Sequence, residues 1–364
     1  MAAPNETDER EKETETTGKK DIFGENVEAL QAELAPLNLP KYRAKQIAEW
    51  MYQKGAKTFA AMTNLPKSLR ESLDEAFVIW QPFVRDRLDS VDGLTSKFLF
   101  EFADGTAIES VLMRQSYGNS VCVSSQAGCN MGCAFCASTL HGMARNLTAG
   151  EMAAQVIAIN DRLREEDGGK VDTIVIMGSG EPLMNYDNVL AFIHLLHEDY
   201  VLGLGYRNIT LSTAGIVPNM LRLADEGIPI SLSVSLHAPN QPLRERLMPI
   251  SKKYPMEDVV RAAKHYADKT KRRVTYEYIL IDGVNDTEEH ARELAKLLRG
   301  QLANVNLIPI NPVAERHLLR PSKARIEHFL RSLTMHHIQA TVRKEMGTDI
   351  HAACGQLRNK HLED

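Results

Sequence analysis

A chain of 364 residues, 43% of them apolar, can bury a substantial core as one large domain or as a large domain with a smaller appendage. No apolar run reaches the roughly 18 residues that cross a bilayer, and the opening stretch is charged rather than a basic-then-apolar leader, so the expectation is a cytoplasmic protein with no membrane partner. The net charge is -5, of which the first 21 residues supply -3 through seven acids against four bases; the rest is nearly neutral, so any contact with nucleic acid has to come from local basic patches rather than a global field.

In chain order, residues 1–21 are rich in Glu, Thr and Lys with almost no large apolar side chains, which predicts a disordered acidic tail. Residues 22–78 turn helical: Tyr42, Ile47, Trp50 and Met51 recur near helical spacing, and a second run after Pro66 carries Leu69, Leu73 and Phe77. Lys41, Arg43, Lys45, Lys54, Lys57, Lys67 and Arg70 gather in this small helical domain, a pattern that suits RNA phosphates and equally suits a solvated helix surface. Over residues 79–118 the period falls to two: Phe98, Phe100 and Phe102 alternate with Leu99 and Glu101, Asp104-Gly105 marks a turn, and a second run covers Ile108 to Met113, together predicting a β-hairpin extension.

Residues 119–345 alternate short β-rich runs with helical ones. Strands are predicted at Ser120–Ser124, Thr173–Met177, Asn208–Ser212, Ile230–Leu236, Val274–Leu280 and Val305–Ile308. Helices are predicted from a capping box at Thr148 and Glu151 towards Arg164, then at Asn188–His197, Asn219–Glu226, Met256–Lys269, Thr287–Leu298 and Ser322–His336. Six successive βα units make this an α/β protein with a parallel sheet, either curled as an open six-stranded barrel or laid flat and doubly wound. Both place the site in loops after the carboxyl ends of strands. Residues 346–364 form a C-terminal segment.

The loop after the first of these strands holds Cys129, Cys133 and Cys136, three thiols in eight residues beside Gly128 and Gly132. Soft ligands at this spacing, on backbone that can fold around an inorganic core, suit an iron-sulfur cluster with one iron left open. Zinc completed by His141 is a competing reading, although zinc ligands usually come as two separated pairs. A disulfide framework fits poorly with an odd cysteine count of five. After the second strand comes Met177-Gly178-Ser179-Gly180-Glu181-Pro182, and later strand ends are polar at Ser212, at Ser235, Leu236 and His237, and at Asn311. Hydroxyls and an imidazole there suit a ribose and a carboxylate; hydroxyls that bond their own turns give the same pattern. Cys122, inside the first strand, and Cys354, in the C-terminal segment beside Gly355, are the remaining cysteines.

The C-x3-C-x2-C triplet with Phe135 before its last cysteine, and Gly180-Glu181-Pro182 after the second strand, resemble the radical S-adenosylmethionine (SAM) enzymes; Ser179 departs from the Gly or Met usual there. With GEPLMNYDN, SLHAP, the Asp282-Gly283-Val284-Asn285-Asp286 turn and AACGQL, the chain from Phe23 to Leu357 resembles the RlmN/Cfr family, and its RlmN-type members in overall likeness. The resemblance implies a partial (β/α)6 radical SAM barrel with a helical RNA-docking appendage. It implies one 4Fe-4S cluster on Cys129, Cys133 and Cys136, two SAM molecules per turnover with Gly180, Glu181, Ser212, Ser235, Leu236, His237 and Asn311 around them, and a one-electron reductant such as flavodoxin or ferredoxin. The implied reaction methylates C2 of an adenine in 23S rRNA at the peptidyl transferase centre and the adenosine 3′ of a tRNA anticodon. By the same resemblance Cys354 takes a methyl from one SAM, a 5′-deoxyadenosyl radical from the second removes a hydrogen from it, and the methylene radical adds to C2. Glu109 is the implied acceptor of the C2 proton, and Cys122 then attacks Cys354, leaving a disulfide and methylated RNA. A Cfr-like enzyme that methylates C8 of the same rRNA adenine, and a non-catalytic RNA-binding module stabilised by zinc, are the alternatives.

Overall fold

The computed structural model describes residues 19–357. The tail expected over residues 1–21 lies outside them apart from its end, where β1 (Lys20–Asp21) pairs in parallel with β2 (Phe77–Val78). Between these strands run α1 (Val27–Glu33), α2 (Tyr42–Tyr52) and α3 (Lys67–Ala76). α2 and α3 fall where the helical spacing placed them; α1 is only seven residues long, too short to show a period. The appendage shares its core with the main domain: Leu30, Ile47, Met51 and Phe59 belong to one continuous cluster with Val121, Ile174 and Leu211. Two glycines permit this docking. A Cβ on Gly24 would lie 2.2 Å from the Gly150 Cα, and one on Gly150 would lie 2.3 Å from the Phe23 carbonyl, so the two backbones touch where any side chain would separate them.

The predicted hairpin is β4 (Thr95–Glu101) and β5 (Ala107–Gln115), preceded by β3 (Phe83–Asp89), whose mostly exposed, mostly polar residues gave no alternation to read. β5 then pairs antiparallel with β6 (Gly118–Cys122), so the extension and the βα region form one sheet. β7 (Gln126–Gly128) and β8 (Met143–Asn146) make a separate two-stranded ribbon. The βα units follow as α4 (Ala149–Asp167), β9 (Val171–Ile176), α5 (Tyr186–His197), β10 (Ile209–Thr213), α6 (Val217–Asp225), β11 (Ser231–Ser235), α7 (Gln241–Leu247), α8 (Met256–Thr270), β12 (Val274–Leu280), α9 (Glu288–Leu298), β13 (Ala303–Pro309), α10 (Lys323–Met335) and β14 (Ala340–Val342). The capping box is formed: the Glu151 N–H donates to the Thr148 hydroxyl at 3.1 Å and the Thr148 N–H to the Glu151 carboxylate at 2.8 Å.

Strand order decides between the two architectures left open. The ten-stranded sheet runs β14-β13-β12-β11-β10-β9-β6-β5-β4-β3, parallel from β6 to β14, with each parallel strand beside the next in sequence. A doubly wound sheet reverses its order at a switch point and this one never does, so it coils one way into an open barrel. Neighbouring helices pack against one another outside it, α4 on α5, α6 on α8 and α9 on α10. Among the described residues, no helix is long and apolar enough to cross a membrane.

Candidate functional site

The carboxyl ends of the parallel strands converge on one mouth, and the β7–β8 ribbon closes the base of the loop that carries the triplet, with the Cys129 N–H donating to the Gly142 carbonyl at 2.9 Å. Cys129 and Cys133 are buried and Cys136 is half-buried. Burial pushes the Cys129 thiol up to about 12 and raises Cys133 and Cys136 too; Cys133 also feels the charge of both other triplet thiols, and Cys129 that of Cys136. Such thiols ionise only when a cation joins them, which is the chemistry of a metal-cluster ligand set. Among the described residues no three His, Cys, Asp or Glu side chains close on the position of a single ion, and His141 is exposed. A cluster takes one thiolate per iron and so needs its ligands further apart than one ion does.

Two arginines flank the triplet. Arg244 is fully buried, and among the described residues no carboxylate pairs with it; its guanidinium donates to the Ser251 hydroxyl, to the Ala214 carbonyl at 2.7 Å and to the Ser235 carbonyl at 3.1 Å, while Nε has no partner. Arg316 donates to the Cys136 carbonyl at 3.1 Å and to the Thr139 hydroxyl at 2.7 Å, and its Nε is also without a partner. A buried cation lacking a counter-charge is costly. Three thiolates on a cluster supply that negative charge beside Cys133, so the residues present fit the group.

The other expected site residues divide into those aimed at the mouth and those already engaged. Glu181 is 3% exposed, and its carboxylate accepts from the Leu183 N–H at 3.0 Å, the Thr213 hydroxyl at 2.7 Å and the Ala214 N–H at 2.6 Å, bracing the β9 loop against the end of β10. Burial pushes its pKa up to about 7 against the pull of those donors. Gly180 packs so closely that a Cβ would meet Gln126 Cβ at 2.7 Å. His237 has a left-handed backbone (φ 58°), accepts from the Ile279 N–H on Nδ1 at 3.0 Å and sets its ring edge-on to Phe135 at 4.7 Å. Burial lowers its pKa to about 3, keeping the imidazole neutral. Leu236 is buried and Ser212 and Ser235 are half-buried at the ends of β10 and β11. Asn311 is buried beyond the end of β13, with Oδ1 unpartnered while Nδ2 donates to the Cys354 carbonyl at 3.1 Å.

The C-terminal segment returns over this mouth. The Ala137 N–H donates to the Gly355 carbonyl at 2.8 Å, the Ser138 hydroxyl to the Leu357 carbonyl at 2.7 Å and Gln356 Nε2 to the Pro312 carbonyl at 3.1 Å. Leu357 packs with Cys122 and Val111, and the charge of Cys354 acts on Cys122, whose thiol burial pushes up to about 12. The Arg343 guanidinium faces Cys354, Glu277 and Cys122. Glu109 is buried on β5, ion-paired with Lys97 at 2.9 Å, and borders a cavity of about 300 Å³ shared with Ala137, Ser138, Ser179 and Leu357. Sequence reading missed Lys97, Arg244, Arg316 and Arg343. The detectable signals were a lysine directly before the apolar Phe98-Leu99-Phe100 run and an arginine among the apolar positions of the short α7.

An open parallel barrel with this loop is the architecture of one superfamily, and residues 123–297 match the family model described as the Radical SAM superfamily. Residues 20–79 match a second model, the ribosomal RNA large subunit methyltransferase N-terminal domain. Curated relatives named probable dual-specificity RNA methyltransferase RlmN include that of Symbiobacterium thermophilum, 52% identical over 94% of this chain and 92% of its own length, and that of Bacillus licheniformis, 48% identical over 96% of each. The crystal structure of a radical SAM methyltransferase from Sphaerobacter thermophilus superposes with a TM-score of 0.89 at 46% identity, covering 93% of this chain and 99% of that one. The chain belongs to the RlmN family of the radical SAM superfamily. Membership of the superfamily implies a 4Fe-4S cluster and SAM.

Proposed function

We propose that this chain methylates C2 of an adenosine in 23S rRNA at the peptidyl transferase centre, and the adenosine 3′ of the anticodon in tRNA, through an S-methylated Cys354 and a covalent RNA–protein intermediate. The observation that carries the proposal is the return of the C-terminal segment, which brings Cys354 within electrostatic reach of Cys122 while its neighbours Gly355 and Leu357 bond the loop that holds the triplet. Two cysteines from opposite ends of the fold, outside the triplet, suit a methyl carrier and a resolving thiol.

C2 of adenine is electron-poor and its hydrogen is not acidic, so direct displacement on a SAM methyl has no nucleophile to begin with. With the electron of a flavodoxin- or ferredoxin-class partner, a 4Fe-4S cluster and SAM bound at the triplet supply the radical that takes a hydrogen atom from a methyl group. Cys129, Cys133 and Cys136 would hold the cluster, and Asn311 Oδ1 is an acceptor free for a donor of SAM. Cys354 carries the methyl as a thioether and stays bonded to the carbon after it joins C2, splitting one hard step into easier ones. The adduct's unpaired electron returns to the one-electron couple that began the reaction, and Glu109 accepts the C2 proton, which restores the aromatic ring. Cys122 attacks the Cys354 sulfur, its own proton leaving; the sulfur–carbon bond breaks towards carbon, which takes a proton, and a disulfide remains. The cavity beside Glu109, at about 300 Å³, lies at the lower bound of small-molecule sites and suits an extruded base.

Locating the new methyl group tests this. Anaerobically reconstituted, reduced protein is incubated with 23S rRNA and tRNA, and the modified nucleoside is identified by mass spectrometry; 2-methyladenosine is expected. A product carrying the methyl at C8 alone makes this a Cfr-like enzyme, and zinc in place of iron with no methylation leaves an RNA-binding protein.

A further inference from the structure

Register places the chemistry on one face of the sheet. Directly opposed residues share a face, and Val175, Cys122, Val111 and Lys97 form a single row across β9, β6, β5 and β4. Glu109, opposite Leu99, lies in the next row, diagonal to Lys97. The pair is closed at 2.9 Å with both side chains almost fully buried, at 6% and 7% exposure. The same ammonium also donates to the His351 carbonyl at 3.4 Å, in the returning segment that carries Cys354. Lys97 therefore touches both the expected proton acceptor and the segment that carries the expected methyl carrier, three residues before Cys354.

A buried ion pair contributes little stability over an apolar pair of the same volume, so packing alone does not account for it. A base in a buried wall has to present an oxygen to the proton it takes, and a fixed ammonium within hydrogen-bond distance sets which way the carboxylate faces. A lysine has three donors, enough to hold the carboxylate and a carbonyl at once.

We propose that Lys97 is a positioning residue that aims the Glu109 carboxylate while pinning the Cys354 segment over the same sheet face, so that proton acceptor and carrier thiol reach the target base together. This rests on the reading of Glu109 as proton acceptor. The step served moves one proton from C2 to a Glu109 oxygen, the C–H electrons staying with the ring; Lys97 neither gains nor loses a proton, and its bond to the His351 carbonyl persists.

The test uses the full chain with its cluster reconstituted, in single turnovers with RNA, following three products: S-methylated Cys354 by peptide mass spectrometry, the covalent RNA–protein adduct on a denaturing gel, and released methylated RNA. Lys97→Met is expected to methylate Cys354, accumulate adduct and release methylated RNA about 100-fold more slowly, the range typical of losing a general base. Lys97→Arg should restore release. The double variant Lys97→Met/Glu109→Gln should be no slower than Glu109→Gln alone, because the two act as one unit. Normal release by Lys97→Met while Glu109→Gln stalls overturns the proposal and leaves the Glu109 reading standing; normal release by Glu109→Gln overturns that reading and the proposal with it. Should Lys97→Met fail to fold, the double variant, which removes both charges, is measured against Glu109→Gln: a loss well beyond that of Glu109→Gln overturns the proposal by assigning Lys97 a separate structural role.

Discussion

Glu181 shows how a fold can give a residue a structural part beside the one its motif suggests. In sequence, Gly180-Glu181-Pro182 points to SAM; in the fold, the carboxylate is held by two backbone N–H groups and a hydroxyl, a brace between adjacent strand ends. Its folded pKa is raised by burial from 4.5 to about 7, so the apo-protein should be more stable below about 4.5, where both states are protonated, and lose about 3 kcal/mol as pH rises through about 7. Urea melts across that window should show this slope in the parent and not in Glu181→Gln; equal slopes in both would exclude Glu181 as its source. The triplet was legible as a set of soft ligands from spacing alone, because ligand spacing is a local property. Arg244 was not: its significance lies in being fully buried with no carboxylate paired to it among the described residues, which depends on where α7 packs.

At the level of elements, the C-terminal segment completes the site. It crosses to the extension through Gly347, whose backbone is left-handed at φ 64° and whose added Cβ would meet Thr95 Cγ2 at 2.7 Å and Ala352 Cβ at 2.9 Å. The Asp349 carboxylate anchors it by accepting from the Val91 N–H at 2.9 Å. Gly347→Val adds a β-branched side chain in a left-handed conformation and a steric clash, together about 2–4 kcal/mol against the docked segment. Hydrogen exchange should then rise at residues 346–357 while the barrel strands keep their protection, and methylated RNA should fall about tenfold or more; unchanged exchange would mean that the segment is held elsewhere. The six predicted barrel strands were legible because their short runs are rich in β-branched and aromatic residues and lie between helical stretches. β3, α1, α7 and β14 were not, being too polar or too short to show a period.

Across the whole molecule, charge is local. Lys41 and Lys45 are exposed on α2 and at its start, and Arg43 lies over the Tyr42 ring at 4.9 Å, giving the appendage a cationic and aromatic surface suited to RNA. Changing Lys41, Arg43 and Lys45 together to Glu should weaken RNA binding and flatten its salt dependence while leaving SAM cleavage intact, measured by filter binding across a salt series. Equal affinity in the variant would remove the appendage from RNA docking. The appendage is not a loosely tethered module, since its apolar side chains enter the barrel's own cluster and Gly24 meets Gly150 backbone to backbone.

The sequence by itself determined the alternation of strands and helices, the three-cysteine loop after the first strand and the presence of two further cysteines, because periodicity and ligand spacing act over a few residues. Only the tertiary structure decided that the sheet coils into an open barrel rather than winding twice, since that depends on which strands become neighbours. It alone brought Lys97, Glu109, Cys122 and Cys354 to one side of one sheet. Contacts between residues hundreds of positions apart are set by strand register and by the chain's return path, and neither is written in local pattern.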